Sequence, residues 1–336
     1  MEAKAKRRAL ICGVSGQDGA YLAQLLLSKG YEVWGTSRDA QTSTFSSLKK
    51  LGILDKVKTI SMSLVDFRSV LQALSKVNPD EVYNLAGQSS VGLSFDQPVD
   101  TLESITLGTV NLLESIRFLN TNIRFYNAGS SECFGDIGGV PATENTAFRP
   151  KSPYAIAKAA ATWQVDLYRQ AYGLFACTGI LFNHESPLRP ERFVTRKIIA
   201  AACRISKGSA EKLELGNIEV RRDWGWAPEY VDAMWRMLNH GAPQDFIIAT
   251  GVTQSLRDFL KTAFDAVNLD WNDHVQTNPN LLRPSDPLEI GGVATKAKEI
   301  LLWEPEFKGE NLVRRLVKEE LNETAQGYPD EQLINE

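Results

Sequence analysis

The sequence predicts a doubly wound α/β fold, a parallel sheet covered by helices on both faces, with a smaller mixed α/β lobe toward the C-terminus. Three observations carry this. Short apolar runs alternate with helix-like segments through the first half of the chain. Those runs lack a clean apolar/polar alternation, as strands buried on both faces do. A segment rich in charge and proline, NHESPLRPERFVTRKI, interrupts the pattern from residue 183.

In order, RALICG reads as a buried strand and GAYLAQLLLSKG as a helix that stops at Gly30. YEVWGTS and VKTISMSL read as the second and third strands. FRSVLQALSKV is helical, DEVYNLAG a strand, TLGTVNLLESIRFL a helix and IRFYNAGS the next strand. This β-α-β-α-β order is the doubly wound plan. A helix starting near Tyr154 feeds the strand FACTGILF, and DFIIATG at 245–251 is a last strand. Between them NHESPLRPERFVTRKI reads as an excursion. NPNLLRPSDP reads as loop and NLVRRLVKEELNE as a closing helix. Residues 1–183 with about 227–266 are thus assigned to the sheet domain, and about 184–226 with 267–325 to the lobe. Residues 326–336 are expected to be a frayed tail.

The 336 residues are 43% apolar and carry a formal charge of −4. That charge gives no reason to expect nucleic acid, so any phosphate ligand must be met by local basic residues. Cys12, Cys133, Cys177 and Cys203 show neither metal spacing nor CxxC. They read as reduced thiols of a cytoplasmic protein, and no metal site is expected. The basic start MEAKAKRRALICG resembles an export signal only superficially, because its apolar run is confined to Ala9–Cys12. No stretch approaches the ~20 apolar residues of a membrane span.

Three motifs carry chemistry. GVSGQDG, residues 13–19, follows the first strand and opens the first helix, with glycines at 13, 16 and 19. Such glycines let backbone approach a pyrophosphate held at the helix N-terminus, the mark of a dinucleotide. The second strand ends on Thr36, Ser37 and Arg38 instead of the carboxylate that bonds the ribose of NAD, which suits the 2′-phosphate of NADP. The alternative for Arg38, a solvated loop residue, stays open, and Asp39 beside it counts against the phosphate. SPYAIAK places Tyr154 and Lys158 at i and i+4, on one helix face. A neighbouring ammonium favours phenolate, so Tyr154 is expected to titrate below the usual ~10 and to serve as acid/base toward a hydroxyl losing hydride. GSSECFG, residues 129–135, sets two hydroxyls directly before a carboxylate, between a strand and SPYAIAK.

The stretches GVSGQDGAYLA, PDEVYNLAGQSSVGLSFDQP, RFYNAGSSECFG, RPKSPYAIAKAAATW, GILFNHESP, FVTRKI, LGNIEVRRDWGWAPEYVDAMW, DFIIATG and LLRPSDP run almost end to end. On them the chain resembles the extended short-chain dehydrogenase/reductases, and among these the GDP-mannose 4,6-dehydratase family. NHESP followed by FVTRKI and RDWG is far more specific than the glycine triplet. The resemblance implies a Rossmann-type cofactor domain with NADP, and a lobe that binds a nucleotide sugar. It also implies conversion of GDP-mannose to GDP-4-dehydro-6-deoxy-mannose plus water by internal hydride transfer from C4 to C6.

Chemistry accounts for the carboxylate in GSSECFG. Oxidising C4 acidifies the C5 proton, and a base must remove it before the C6 hydroxyl leaves. A plain reductase needs no such base. By resemblance, Glu132 is that base and the acid for the departing water. Ser130 bonds the developing C4 carbonyl, with Ser131 able to share the role. Tyr154 is the C4 acid/base, and Lys158 tunes it and holds the nicotinamide ribose.

Gly13, Gly16, Gln17, Asp18, Gly19, Arg38, Asp66 and Leu85, with Tyr154 and Lys158, are implied at the cofactor. Asn183, Lys197, Arg222 and Arg283 are implied at the GDP diphosphate and ribose, and Ser89 and Glu185 are candidate partners of the hexose. Departures are Asp39 where a second arginine is common, Ser63 for an aspartate near the adenine, and Leu188 for an arginine after NHESP. His184 is read as structural. Rival readings are the same dehydration of a GDP-manno-heptose, a GDP-4-keto-6-deoxymannose reductase, and a catalytically idle NADP-binding protein. A homodimer or homotetramer is expected, built on the helices bearing Leu107–Leu119 and Tyr154–Tyr172.

Overall fold

The computed structural model describes residues 6–119 and 122–325; the expected tail at 326–336 lies outside them. Seven parallel strands form the main sheet: β1 (Arg8–Cys12), β2 (Glu32–Ser37), β3 (Lys58–Ser61), β4 (Glu81–Asn84), β5 (Arg124–Ala128), β6 (Ala176–Leu181) and β7 (Phe246–Ile248). Their spatial order is β7-β6-β5-β4-β1-β2-β3. The winding reverses between β1 and β4, and the crevice at the carboxyl ends there is where such sheets bind ligands.

Both faces are covered, which explains the missing alternation. Ala9 and Ile11 of β1 pack with Leu22 and Leu26 of the helix Gln17–Ser28, and with Val231 and Met234 of the helix Ala227–Asn239. Leu10 and Cys12 face the opposite way. They share a core with Val70, Leu112, Ile116 and Val165 from the helices Phe67–Val77, Gly108–Leu119 and Pro153–Tyr172.

The lobe is built around the strand Arg221–Trp226. It pairs with Thr253–Ser255, Glu289–Ile290 and Asn183–Glu185, while Leu213–Leu215 pairs separately with Val275–Thr277. The helices Val194–Ser206, Leu256–Asp265 and Gly309–Ala325 enclose a second core containing Ile198, Trp224, Phe259, Phe264 and Leu312. The segment read as an excursion therefore contains a strand and the start of a long helix.

Two boundaries differ from the sequence reading. Residues 256–265 were expected with the main sheet, yet Phe259, Leu260, Ala263 and Phe264 are buried in the second core. Each large side chain buried there is worth about 1.5–3 kcal/mol, so the helix goes where its apolar face is covered. Conversely, Ala297, Leu301 and Trp303 belong to the main core, although 267–325 was assigned to the lobe.

The two parts are tied by polar contacts. Asp223, fully buried on the lobe strand, accepts hydrogen bonds from Thr250 N at 2.9 Å, Thr250 Oγ1 at 2.8 Å and Gly251 N at 2.8 Å, just beyond β7. Among the described residues no helix is long and apolar enough to cross a membrane.

Candidate active site

The glycine loop leaves β1 and turns directly into the helix at Gln17. A Cβ on Gly19 would stand 2.3 Å from Gly13 O and 2.7 Å from Val14 Cα, so only glycine lets helix and loop close this tightly. Gly16 N donates to Gly13 O at 3.1 Å. The result is a bare backbone cradle at a helix N-terminus, which fits a pyrophosphate. Leu85 joins it, its amide donating to Cys12 O at 3.1 Å.

The side chains of this loop point elsewhere. Gln17 donates to His184 O at 3.1 Å and accepts from Ser186 Oγ at 2.7 Å. Asp18 Oδ2 lies 2.9 Å from His184 Nε2, whose Nδ1 lies 2.7 Å from Phe182 O. Both ring nitrogens thus face acceptors, an arrangement the imidazolium satisfies. Asp18 holds His184 above the usual imidazole range against the cost of burial, and His184 holds the Asp18 carboxyl below the usual range. His184 stacks on Tyr230 with ring centroids 4.6 Å apart. Gln17, Asp18 and His184 thereby fasten the glycine loop to the strand Asn183–Glu185.

Arg38 is exposed at the end of β2, and Asp39 turns its carboxylate back onto Gln41 N at 2.9 Å. Asp66 is exposed and caps the helix Phe67–Val77, accepting from Arg68 N at 2.9 Å.

GSSECFG forms one turn of 3-10 helix, Ser131–Phe134, beyond the end of β5. Gly135 ends it with φ 66°, and a Cβ there would meet Arg149 O at 2.2 Å. Ser130 caps the turn, accepting from Glu132 N at 3.3 Å, and its hydroxyl is the hydrogen-bonding neighbour of the Tyr154 phenol. Tyr154 lies in the first turn of Pro153–Tyr172, where Ser152 caps by accepting from Ala155 N at 3.1 Å and Pro153 costs no hydrogen bond. Lys158 lies one turn on. Its Nζ donates to Ala128 O at 2.8 Å and sits 5.8 Å from the Tyr154 ring centroid. Ser130, Glu132, Tyr154 and Lys158 therefore form one cluster, with Ser131 buried behind it.

The expected depression of Tyr154 is not found. Burial raises the phenol above its usual range, opposed by the bond to Ser130 and the more distant Arg189. Burial lowers the Lys158 ammonium to about 8, and its hydrogen bond is spent on a backbone carbonyl. Burial also raises Glu132, against the pull of Arg222 and Arg283.

The lobe closes the cluster from the other side. Arg222 Nε lies 3.9 Å from Glu132 Oε1. Arg283 Nη1 lies 3.5 Å from Asp286 Oδ1, and this arginine is the more exposed of the two. Lys197 Nζ donates to Glu214 O at 2.8 Å. Asn183 is half-buried, in register with Trp224. Glu185 is buried away from open space, accepting from Thr195 Oγ1 at 2.7 Å with Arg189 Nε at 3.1 Å. Ser89 is exposed beyond β4.

Residues 10–316 match the family described as GDP-mannose 4,6 dehydratase. The chain belongs to the GDP-mannose 4,6-dehydratase family. It is 44% identical over 330 residues to GDP-mannose 4,6 dehydratase 1 of Arabidopsis thaliana, covering 95% of this chain and 91% of that one. Against GDP-mannose 4,6 dehydratase 2 of the same plant the identity is 43% over 326 residues, covering 94% and 87%. Among solved structures, the UDP-glucose 4-epimerase of Thermotoga maritima shares the fold with a TM-score of 0.84 at 21% identity, covering 95% of this chain and all of that one. A nicotinamide dinucleotide is typical of dehydratases in this superfamily, and the cradle at Gly13–Gly19 fits one.

Sequence reasoning did not single out Asp286, which joins Arg222 and Arg283, or Arg189, which faces Tyr154, Asp18 and Glu185. RPSDP and NHESPLR carried the signal, but the partners are remote in sequence.

Proposed function

We propose that this protein converts GDP-mannose to GDP-4-dehydro-6-deoxy-mannose and water, with NADP as a recycled cofactor. The carrying observation is Glu132, a carboxylate only 11% exposed, beside the Ser130–Tyr154 pair. A bound nicotinamide supplies a reversible hydride acceptor at the cradle of Gly13, Gly16 and Gly19, with Leu85 beside it. Tyr154 takes the proton of the C4 hydroxyl as hydride leaves C4, and Ser130 donates to the resulting carbonyl oxygen. Glu132 then takes the C5 proton and returns a proton to the departing C6 hydroxyl, which leaves as water. Hydride returned to C6 is matched by a proton regained at C5, the equivalent that Tyr154 took from the C4 hydroxyl, so that electrons and protons both close.

Lys158, one helical turn from Tyr154, is the cation that favours phenolate and the candidate partner of the nicotinamide ribose. Exposed Arg38 is the candidate contact of a 2′-phosphate. Asp39 does not oppose it directly, because its carboxylate is held by its own turn. Lys197, Arg222 and Arg283 are candidate cations for the diphosphate and ribose, with Asn183 beside them and Ser89 a candidate partner of the hexose. Ile156, Trp163 and Leu167 are exposed on the helix Pro153–Tyr172, which supports a homodimer through that face.

The test is purified protein with GDP-mannose and catalytic NADP, without external reductant, followed by mass spectrometry. Loss of one water without net NADP consumption is expected. Glu132→Gln should still bind NADP and lose roughly 10²–10⁴-fold in turnover. Near wild-type turnover by that variant would remove Glu132 from the mechanism. Turnover only of a GDP-heptose, or only of the keto sugar with NADPH, would replace the reading with one of its rivals.

A further inference from the structure

Asp223 is fully buried, and no lysine or arginine pairs with it among the described residues. Its charge is met by donors from one short turn. Oδ1 accepts from Thr250 N at 2.9 Å and from Thr250 Oγ1 at 2.8 Å, and Oδ2 accepts from Gly251 N at 2.8 Å. Gly251 adopts φ 77°, a conformation open to glycine, and two successive amides thereby converge on one anion. Thr250 Oγ1 in turn accepts from Val252 N at 3.1 Å, which closes the turn on itself. Burial pushes the Asp223 carboxyl up to about 6, so at neutral pH these donors meet the carboxylate.

This contact lies where the chain passes between its two parts. Residues 249–252 lead from β7 of the sheet into the lobe strand Thr253–Ser255. Asp223 stands opposite Thr253, in the strand Arg221–Trp226, and Ala227 directly after that strand begins the helix that returns to the main core. Two crossings thus run side by side, and one carboxylate joins them. A buried anion is costly, but one met by directional donors accepts only one arrangement of the two crossings.

We propose that Asp223 is a positioning residue for the nucleotide-sugar site: by stapling the two crossings it fixes how far the lobe stands from the catalytic cluster. The inference rests on the reading of the lobe as the nucleotide-sugar subsite. Arg222, beside Asp223 in the strand, reaches to 3.9 Å from Glu132 across the divide, and Asp286 links it to Arg283. A change of lobe angle moves these cations relative to Glu132 and Ser130. The cradle of Gly13, Gly16 and Gly19 lies within the sheet domain and is not carried along.

The experiment is equilibrium binding of GDP and of NADP, each titrated into wild type, Asp223→Asn and Thr250→Val, with thermal unfolding alongside. Asp223→Asn keeps the shape but leaves one acceptor oxygen, and sets an NH₂ group against a buried donor. It should weaken GDP binding about tenfold or more and change NADP affinity less than about twofold. KM for GDP-mannose should rise in step, with kcat changed less. Thr250→Val removes only the hydroxyl donor and should give a smaller loss in the same direction. A merely structural Asp223 predicts a lower unfolding temperature with both affinities unchanged, and that result overturns the proposal. So does an equal loss of both ligands. If Asp223→Asn does not fold, Thr250→Val decides, and an unchanged GDP affinity there overturns the proposal. Wild-type protein that does not bind GDP would instead overturn the reading of the lobe, and the proposal with it.

Discussion

Lys158 offers a prediction whose size follows from the site. Its ammonium is buried beside Tyr154, with one hydrogen bond to Ala128 O, and burial lowers it from 10.5 to about 8. In the unfolded chain the same group titrates near ~10.4. Between these values the unfolded chain binds a proton that the folded chain does not, so stability rises with pH across that window. Below about pH 8 the folded protein bears the full cost of a buried ammonium. A displacement of about 2.5 units corresponds to about 3 kcal/mol over the whole span.

Lys158→Met removes this dependence. Cys12, pushed up to about 12 by burial, acts in the opposite sense at alkaline pH and is common to both proteins. Urea unfolding of the cofactor-free proteins between about pH 7 and pH 10 should show the stability of wild type relative to the variant climbing by up to about 1.4 kcal/mol per pH unit above pH 8. A pH-independent difference would show that the ammonium is not desolvated in the folded state, and would refute the reasoning.

Other outcomes follow from the same geometry. Gly19→Ala forces a Cβ to within 2.3 Å of Gly13 O, a backbone atom that cannot swing away. It should cost about 1–3 kcal/mol and weaken cofactor binding at least tenfold, read by thermal unfolding and NADPH fluorescence. Arg38→Ala should reduce the preference for NADP over NAD by about tenfold in binding titrations, corresponding to about 1.4 kcal/mol for one charge-assisted contact; an unchanged ratio would remove Arg38 from cofactor selection. Trp163→Glu with Leu167→Glu, both exposed on one helix face, should leave a monomer by light scattering; an unaltered assembly would place the subunit contact elsewhere.

The sequence by itself determined the elements whose information is local. The run RALICG followed by glycines at 13, 16 and 19 specified the first strand, its tight turn and the cofactor cradle, because backbone approach is a property of neighbouring residues. The pairing of Tyr154 and Lys158 on one helix face was legible from their spacing, but the roles proposed for them and for Glu132 came from the combined motifs and the family resemblance. The lobe was not legible. Its strands include segments as short as Glu289–Ile290 and Asn183–Glu185, too brief to show a period.

Only the tertiary structure decided what the charges do. Arg222 and Asp286 are 64 residues apart, and Asp18 and His184 are 166 apart, yet each pair is in direct contact. Tyr154 was expected to be acidified by its lysine, whereas in the folded chain burial raises it and the groups that oppose burial are Ser130 and Arg189. Spacing fixes which side chains share a helix face, but desolvation and long-range pairing depend on what the rest of the chain packs against them. Those terms, which set the proton affinities of this site, exist only once the sheet and the lobe have closed around it.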